Sequence, residues 1–368
     1  MSVIRVLHMI GGLHPGGSQS LVLNLYKVID RSKIQFDFII DEPDQLFHKQ
    51  TVENLGGKVY VLPKFNGKNY FAVKKAWKTF FIEHPEYKIL HSHVRSYASL
   101  YIPIAKKFGL KTIIHSHSTS TGGGLSGCVK AVFQYPLRYQ ADYLMACSSK
   151  AGEWLYGKKA CKKDNYVYMP NAINFDEFKF NSEIRQKYRS ELGLEDKFVI
   201  GHVGSFLPVK NHKFLLEVIN ETLKLRENAV LLLVGDGILH DQITNQVKSL
   251  GLTDKVIFLG RRSDVGNILQ SVDIFVLPSL WEGLPMTAIE AQVSGLKCLI
   301  SDTITEEVCV SKLVNRLDIN DINVWVKELS TSNGERLDVL TDVSKHGFDM
   351  KESSRKYADF YLKLAGEI

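Results

Sequence analysis

Short apolar runs of strand length alternate with longer amphipathic stretches from one end of the chain to the other. In the first half the runs fall at 3–10, 36–40, 58–62, 89–91, 112–115 and 143–147. Helical spacing of apolar positions fills the intervals 18–29, 71–83 and 98–108. The pattern restarts at 198–204 and continues with runs at 229–234, 256–259, 274–277 and 297–300. Such alternation predicts parallel sheets with helices on both faces, an α/β fold. Between the two series lies a polar, charge-rich stretch, 174–197, which reads as a linker. Two doubly wound, Rossmann-like domains follow, residues 1–180 and 181–350. A final segment, 351–368, has the helical spacing of Tyr357, Phe360, Tyr361 and Leu364. Ligands of doubly wound domains bind beyond the carboxyl ends of the strands, and two such domains facing each other would form a cleft.

Bulk properties narrow the function classes. At 368 residues, with 45% hydrophobic and 23% charged, the chain is an ordinary two-domain globular protein. A net charge of +6 favours anionic ligands or anionic surfaces, and no arginine-rich tract or nucleic-acid motif accompanies it. None of the five cysteines forms a C-x-x-C pair, so a reducing cytoplasm is the simplest expectation. Arg5 and His8 interrupt the first apolar run, which is a poor signal peptide. No run of about eighteen apolar residues is present, so any membrane contact is expected to be peripheral.

Candidate chemistry concentrates just past strand ends. Pro278-Ser-Leu-Trp-Glu282-Gly283-Leu284-Pro285 follows an apolar run and leads to Glu290. Pro285 suits a helix start. Glu282 then lies in a strand-to-helix loop and Glu290 more than one turn inside the helix, flanking amides that can hold an anion. A ligand with a phosphate in the middle and hydroxyls at both ends, such as a nucleotide sugar, fits that spacing. Gly11-Gly12…Gly16-Gly17-Ser18 opens the first helix, either as a close approach to a phosphate or sugar or as a flexible, capped turn. Gly204-Ser205…Lys210 repeats the arrangement in the second half, where Lys210 reads as a diphosphate clamp or as a solvated helix lysine. Gly235-Asp236-Gly237 reads as a structural turn. Arg261 and Arg262 read equally as contacts to a base or phosphate and as surface charge. His91-Ser92-His93 and His115-Ser116-His117 end two strands. Such pairs can bind metal, but both lie where strand gives way to loop, and no acidic ligand accompanies them. No metal is expected.

Taken together, these motifs resemble the retaining glycosyltransferases of the GT-B fold, in the large bacterial family 4 type and its exopolysaccharide and capsule branch. The resemblance spans nearly the whole chain and is most specific at Glu282-x7-Glu290. It implies that the last helix crosses back to the first domain and that no cofactor is needed beyond a nucleotide-diphosphate sugar. Position by position, it gives Glu290 the ribose hydroxyls, Glu282 the sugar hydroxyls, the amides of Gly283 and Leu284 the orientation of that sugar, and Lys210 the diphosphate. Gly16 and Gly17 let the first domain close on the donor, and Arg261 borders the nucleobase. His117 is the histidine near the anomeric carbon, with His93 and Ser118 as acceptor-side neighbours. The family usually has arginine where this chain has Ser205, so the bidentate cation is missing. The implied reaction moves a hexose or N-acetylhexosamine, UDP favoured, to a polysaccharide or lipid-linked oligosaccharide acceptor at the cytoplasmic face of the membrane, without a divalent metal. The loop and helix from Gly122 to Arg138, with Lys106, Lys107 and Lys111, form the candidate acceptor and membrane side. The alternatives are a catalytically silent glycan-binding partner subunit, which Ser205 alone supports, and a GT-B nucleotide-sugar epimerase, which would not need the glutamate pair in this form.

Overall fold

A computed structural model describes residues 3–14, 17–117 and 124–367. The chain divides into two compact units, Met1–Ile173 with Asp349–Ile368, and Asn174–Phe348.

The first unit is a seven-stranded parallel sheet. Its strands are β1 (Ile4–Gly11), β2 (Ile34–Ile40), β3 (Val59–Val61), β4 (Ile89–Ser92), β5 (Lys111–Ser116), β6 (Tyr143–Ala146) and β7 (Tyr166–Tyr168), in the order β3-β2-β1-β4-β5-β6-β7. The strands are nearly all apolar because helices cover both faces. One face packs Trp77, Tyr101 and Tyr156; the other packs Tyr26, Phe36 and Phe38. The helix Met350–Ala365 returns to this unit and buries Met350, Tyr357 and Tyr361 in the second of these cores. It is anchored where the Met350 amide donates to the Ile173 carbonyl at 2.9 Å.

The second unit is a six-stranded parallel sheet of β8 (Phe198–Val203), β9 (Ala229–Val234), β10 (Val256–Gly260), β11 (Ile274–Leu277), β12 (Lys297–Ser301) and β13 (Val314–Leu317), ordered β10-β9-β8-β11-β12-β13. Strand order reverses between β1 and β4 in the first sheet and between β8 and β11 in the second. Those are the topological switch points, where doubly wound sheets open a crevice for ligand. Gly11 ends β1, and His93, Gly204 and Pro278 lie just beyond β4, β8 and β11.

The expected linker is a folded part of the second unit. The helix Phe175–Phe178 packs on the helices Val265–Ser271 and Met286–Val293, which moves the boundary from residue 180 back to Ile173. Two of the charges that made 174–197 look solvated, Arg185 and Arg189, are used internally. Arg185 donates to the carbonyls of Gln270 and Val272, both at 2.9 Å, and pairs with Asp273. Arg189 reaches the same buried Asp273 at 3.1 Å. A buried carboxylate needs such partners, and two arginines supply them.

Candidate functional site

In the second unit the loop after β8 brings Lys210 under the loop after β11. Gly204 makes room for this: a Cβ there would sit 3.1 Å from Lys210 Cε. Gly235 has φ +140, and a Cβ would fall 2.0 Å from the Gly204 carbonyl oxygen. A Cβ at Gly237 would lie 2.6 Å from that of Phe206. The Gly235-Asp236-Gly237 turn is thus structural, as its sequence indicates, and lets two strand-end loops pack backbone to backbone.

Lys210 Nζ donates to Glu282 Oε1 at 2.5 Å, and Ser279 Oγ donates to the same oxygen at 2.8 Å. Both side chains of the ion pair are mostly buried, at 12% and 16% exposed. Ser279 is fixed in turn by Thr303, whose Oγ1 donates to the Ser279 carbonyl at 3.1 Å. One Glu282 oxygen is therefore committed, and Oε2 is left to accept from a ligand. The ammonium has three protons and spends one on Glu282, which leaves two for an anion.

The helix Met286–Val293 starts after Pro285 with no side-chain cap. Its first amides are free to meet an anion. Gly283 faces open space, with nothing within 4 Å of a Cβ. Leu284 is half-buried beside it. Thr287, on the first turn of this helix, has a buried Oγ1 without a partner and joins the candidate set. Sequence reasoning passed over it, because one threonine on a helix carries no signal until its hydroxyl is seen unpaired. Glu290 lies one turn further along. Burial pushes its carboxyl up to about 7, and repulsion from Glu177 adds to the effect. Among the described residues no cation is paired with it.

The remaining second-unit candidates separate. Ser205 is exposed at the β8 turn. Arg262 is bidentate to Asp264, at 2.8 and 2.6 Å, and that pair holds the Asp264 carboxyl down at about 2. Arg261 is 81% exposed and lies 3.8 Å from Asp236. His202 sits under the site, its Nδ1–H donating to the Val276 carbonyl at 3.0 Å, and burial keeps it neutral.

In the first unit His93 and His117 come together, with Nδ1 of His93 2.8 Å from Nε2 of His117. Burial lowers His117 to about 3, with the nearby Arg95 charge adding to it. His91 and His115 are fully buried and linked at 3.2 Å, in keeping with a structural role, and Tyr361 of the returning helix reaches His91 Nδ1 at 2.7 Å. His8 joins them from β1, in register with His91. Gly17 begins the first helix with open space around its Cβ position. Gly16 and Ser118 lie outside the described residues. A cavity of about 400 Å³ is lined by Gly11, Gly12, His14, Asp41, Lys64, His93, Arg95 and Lys130, among others. Burial raises the Asp41 carboxyl above its ordinary range, opposed by a hydrogen bond from Tyr97.

Known proteins share this organisation. The model for Glycosyltransferase Family 4 matches residues 15–177, and that for Glycosyl transferases group 1 matches residues 184–321. EpsF of Bacillus subtilis, named as a glycosyltransferase, is 32% identical over 336 residues, which cover 89% of this chain and 87% of that protein. The UDP-Gal:alpha-D-GlcNAc-diphosphoundecaprenol alpha-1,3-galactosyltransferase of Escherichia coli is 28% identical over 76% of each. Among solved structures, a glycosyltransferase from Rickettsia africae has a TM-score of 0.79 at 17% identity, covering 99% of both chains. Anabaena Alr3699/HepE in complex with UDP-glucose has a TM-score of 0.74 at 17% identity, covering 98% of this chain and 100% of that one. The structural likeness establishes the GT-B fold. With two family models placed end to end and a relative at 32% identity along most of its length, the chain belongs to the group 1, family 4 glycosyltransferases.

Proposed function

We propose that this glycosyltransferase moves a hexose or N-acetylhexosamine, with retention of configuration and without a divalent metal, from a nucleoside-diphosphate sugar to a growing, lipid-linked cell-surface polysaccharide, and that the nucleotide is UDP. The observation that carries the reading is the mostly buried Lys210–Glu282 pair beside an uncapped helix start, with Glu290 one turn inside. Names of relatives support the substrate classes. The E. coli relative is named for UDP-Gal and a diphosphoundecaprenol acceptor, and a Campylobacter jejuni relative for a diphospho-undecaprenol acceptor. HepE was solved with UDP and glucose.

In this reading the diphosphate lies across Lys210 and the first amides of the Met286–Val293 helix. As the sugar leaves, charge grows on the phosphate oxygens, and these preorganised donors stabilise it. The sugar becomes oxocarbenium-like. Glu282 Oε2 holds a sugar hydroxyl, Glu290 holds the ribose, and Gly283 and Leu284 orient the sugar through their amides. Arg261 borders the base. The acceptor hydroxyl attacks on the face of the departing phosphate, whose oxygen takes its proton, so neither glutamate is a nucleophile. His117 serves the transferred sugar and the 400 Å³ cavity of the first unit the acceptor.

Incubation with a panel of nucleotide sugars and a lipid-diphosphate-linked acceptor tests the donor through nucleotide release, with Glu290→Ala as control. Release and transfer are expected to survive EDTA. Activity abolished by EDTA and restored by manganese would overturn the metal-independent mechanism. No release from any donor would favour the silent partner subunit, and release without transfer would favour a non-transferring enzyme.

No helix among the described residues is long and apolar enough to cross a membrane. Peripheral contact is proposed for the helix Gly124–Gln134, which starts where a loop through Lys130 was expected, and the segment after it: Val129 and Val132 on the helix and Tyr135 and Tyr139 beyond it are 48%, 72%, 58% and 67% exposed. Lys107, Lys111 and Lys130 are exposed nearby in sequence. Co-sedimentation with anionic vesicles is expected to fall when these lysines are changed to glutamate. Binding indifferent to that reversal counts against the face.

A further inference from the structure

The cavity at the carboxyl ends of β1, β2 and β4 holds polar side chains that the fold itself leaves partly unused. Asp41 follows β2 and is buried, at 6% exposed. Its backbone amide donates to the Gly11 carbonyl at 2.7 Å, and Tyr97 donates its hydroxyl to Oδ2. Oδ1 faces Gly11, where a Cβ would stand 3.6 Å away, and glycine at that point leaves the oxygen open to the cavity. Gln134 ends the helix Gly124–Gln134 and lines the same cavity at 5% exposed. Among the described residues its side-chain amide has no hydrogen-bond partner. A buried amide without partners is unusual and costly, and a ligand group that both donates and accepts would satisfy it.

The charges around these two groups select the ligand. Asp41 and Glu42 put two carboxylates on the wall. Lys64 is paired with Glu42, and Arg95 lies over the Trp154 ring, its cation 5.1 Å from the centroid. Lys130 is exposed. An anion seated here would face the Asp41 carboxylate at close range and be repelled. A hydroxyl is attracted instead, because it donates to Asp41 Oδ1, and a second hydroxyl exchanges bonds with the Gln134 amide. His93 also lines the cavity, but both its ring nitrogens are engaged, with His8 at 3.1 Å and His117 at 2.8 Å, so it offers no bond to a ligand. At about 400 Å³ the cavity is within the range that encloses a small molecule.

We propose that this cavity is a saccharide subsite, in which Asp41 Oδ1 and the Gln134 amide bind hydroxyls of a neutral pyranose: the sugar ring of the acceptor, and not its charged diphosphate. The inference rests on the reading that the cavity serves the acceptor.

The test uses the full chain, with the methyl glycosides of glucose, galactose, N-acetylglucosamine and N-acetylgalactosamine as probes and pyrophosphate as the anionic alternative. Saturation-transfer NMR should show at least one glycoside bound and not displaced by pyrophosphate. Asp41→Asn keeps the Tyr97 bond but removes the charge and turns an N–H toward the ligand; Gln134→Leu removes the amide. Each should weaken the glycoside about five- to tenfold. Neither should lower Tm, because each removes a polar group whose burial is poorly compensated in the free protein. With an acceptor that supports transfer, both variants should raise acceptor KM and leave donor KM unchanged. No glycoside bound at tens of millimolar, binding indifferent to both variants, or pyrophosphate that displaces the glycoside would each overturn the subsite. A fall in Tm in both variants would assign the two groups to the fold and overturn it as well. Glycoside binding that depends on Asp41 and Gln134, with acceptor KM indifferent to them, would keep the saccharide subsite and overturn only its assignment to the acceptor.

Discussion

Alanine at position 210 is expected to lower kcat about 10²–10³-fold, the loss typical of removing one preorganised donor from a developing oxyanion. The magnitude follows from the missing alternatives. Where the family carries arginine this chain has Ser205, and Arg262 is committed to Asp264. Arg261 is largely exposed, where screening weakens it. The same substitution also strips Glu282 of its cation and leaves only Ser279 as a donor. That should cost about 2–3 kcal/mol and lower Tm by roughly 5–10 °C in a unit of this size. Catalytic and structural losses can therefore be confused, and a second variant separates them. Lys210→Met combined with Glu282→Gln removes both charges and should restore most of the Tm while activity stays low. Recovery of activity along with Tm would show that Lys210 acts only by supporting Glu282, and would remove it from the diphosphate.

Much of this was legible in the chain before any coordinates. Long apolar runs are buried central strands, and their period and spacing place β1, β2, β8, β9 and β11. The short edge strands β7, Tyr-Val-Tyr, and β13, Val-Asn-Arg-Leu, were not legible, because three or four half-buried residues do not rise above loop composition. Strand-end placement of Glu282, Lys210, His93 and His117 follows from the same runs, since glycines and polar residues take over where the sheet stops. Their contacts do not follow. Lys210 and Glu282 are 72 residues apart, and only the adjacency of β8 and β11 joins them. His8 looks like a lone histidine in an apolar strand until register sets it beside His91. The charged stretch after Ile173 misleads for a related reason. Composition counts charges but does not say whether an arginine faces water or a buried Asp273.

Binding of a nucleotide sugar is expected to weaken about tenfold between pH 8 and pH 6, with Glu290 as the cause. Its carboxyl sits at about 7 in the free protein because it is buried and faces Glu177. An ionised carboxylate accepts from both ribose hydroxyls, whereas the acid form gives up part of that capacity. The donor therefore selects the ionised form. Above the pKa that form is already present; below it, binding must first expel a proton, so affinity falls with pH and protons are released on binding. UDP-glucose is the better probe than UDP, since its diphosphate is doubly esterified and adds no ionisation of its own in this range. Glu177→Gln removes the repulsion and should move the profile to lower pH while strengthening binding near pH 6. Glu290→Gln should bind weakly, with a flat profile. Affinity that is level in wild type, or that rises toward acid, would deny the ionised Glu290 its place on the ribose, and a profile unchanged by Glu177→Gln would assign the raised pKa to burial alone.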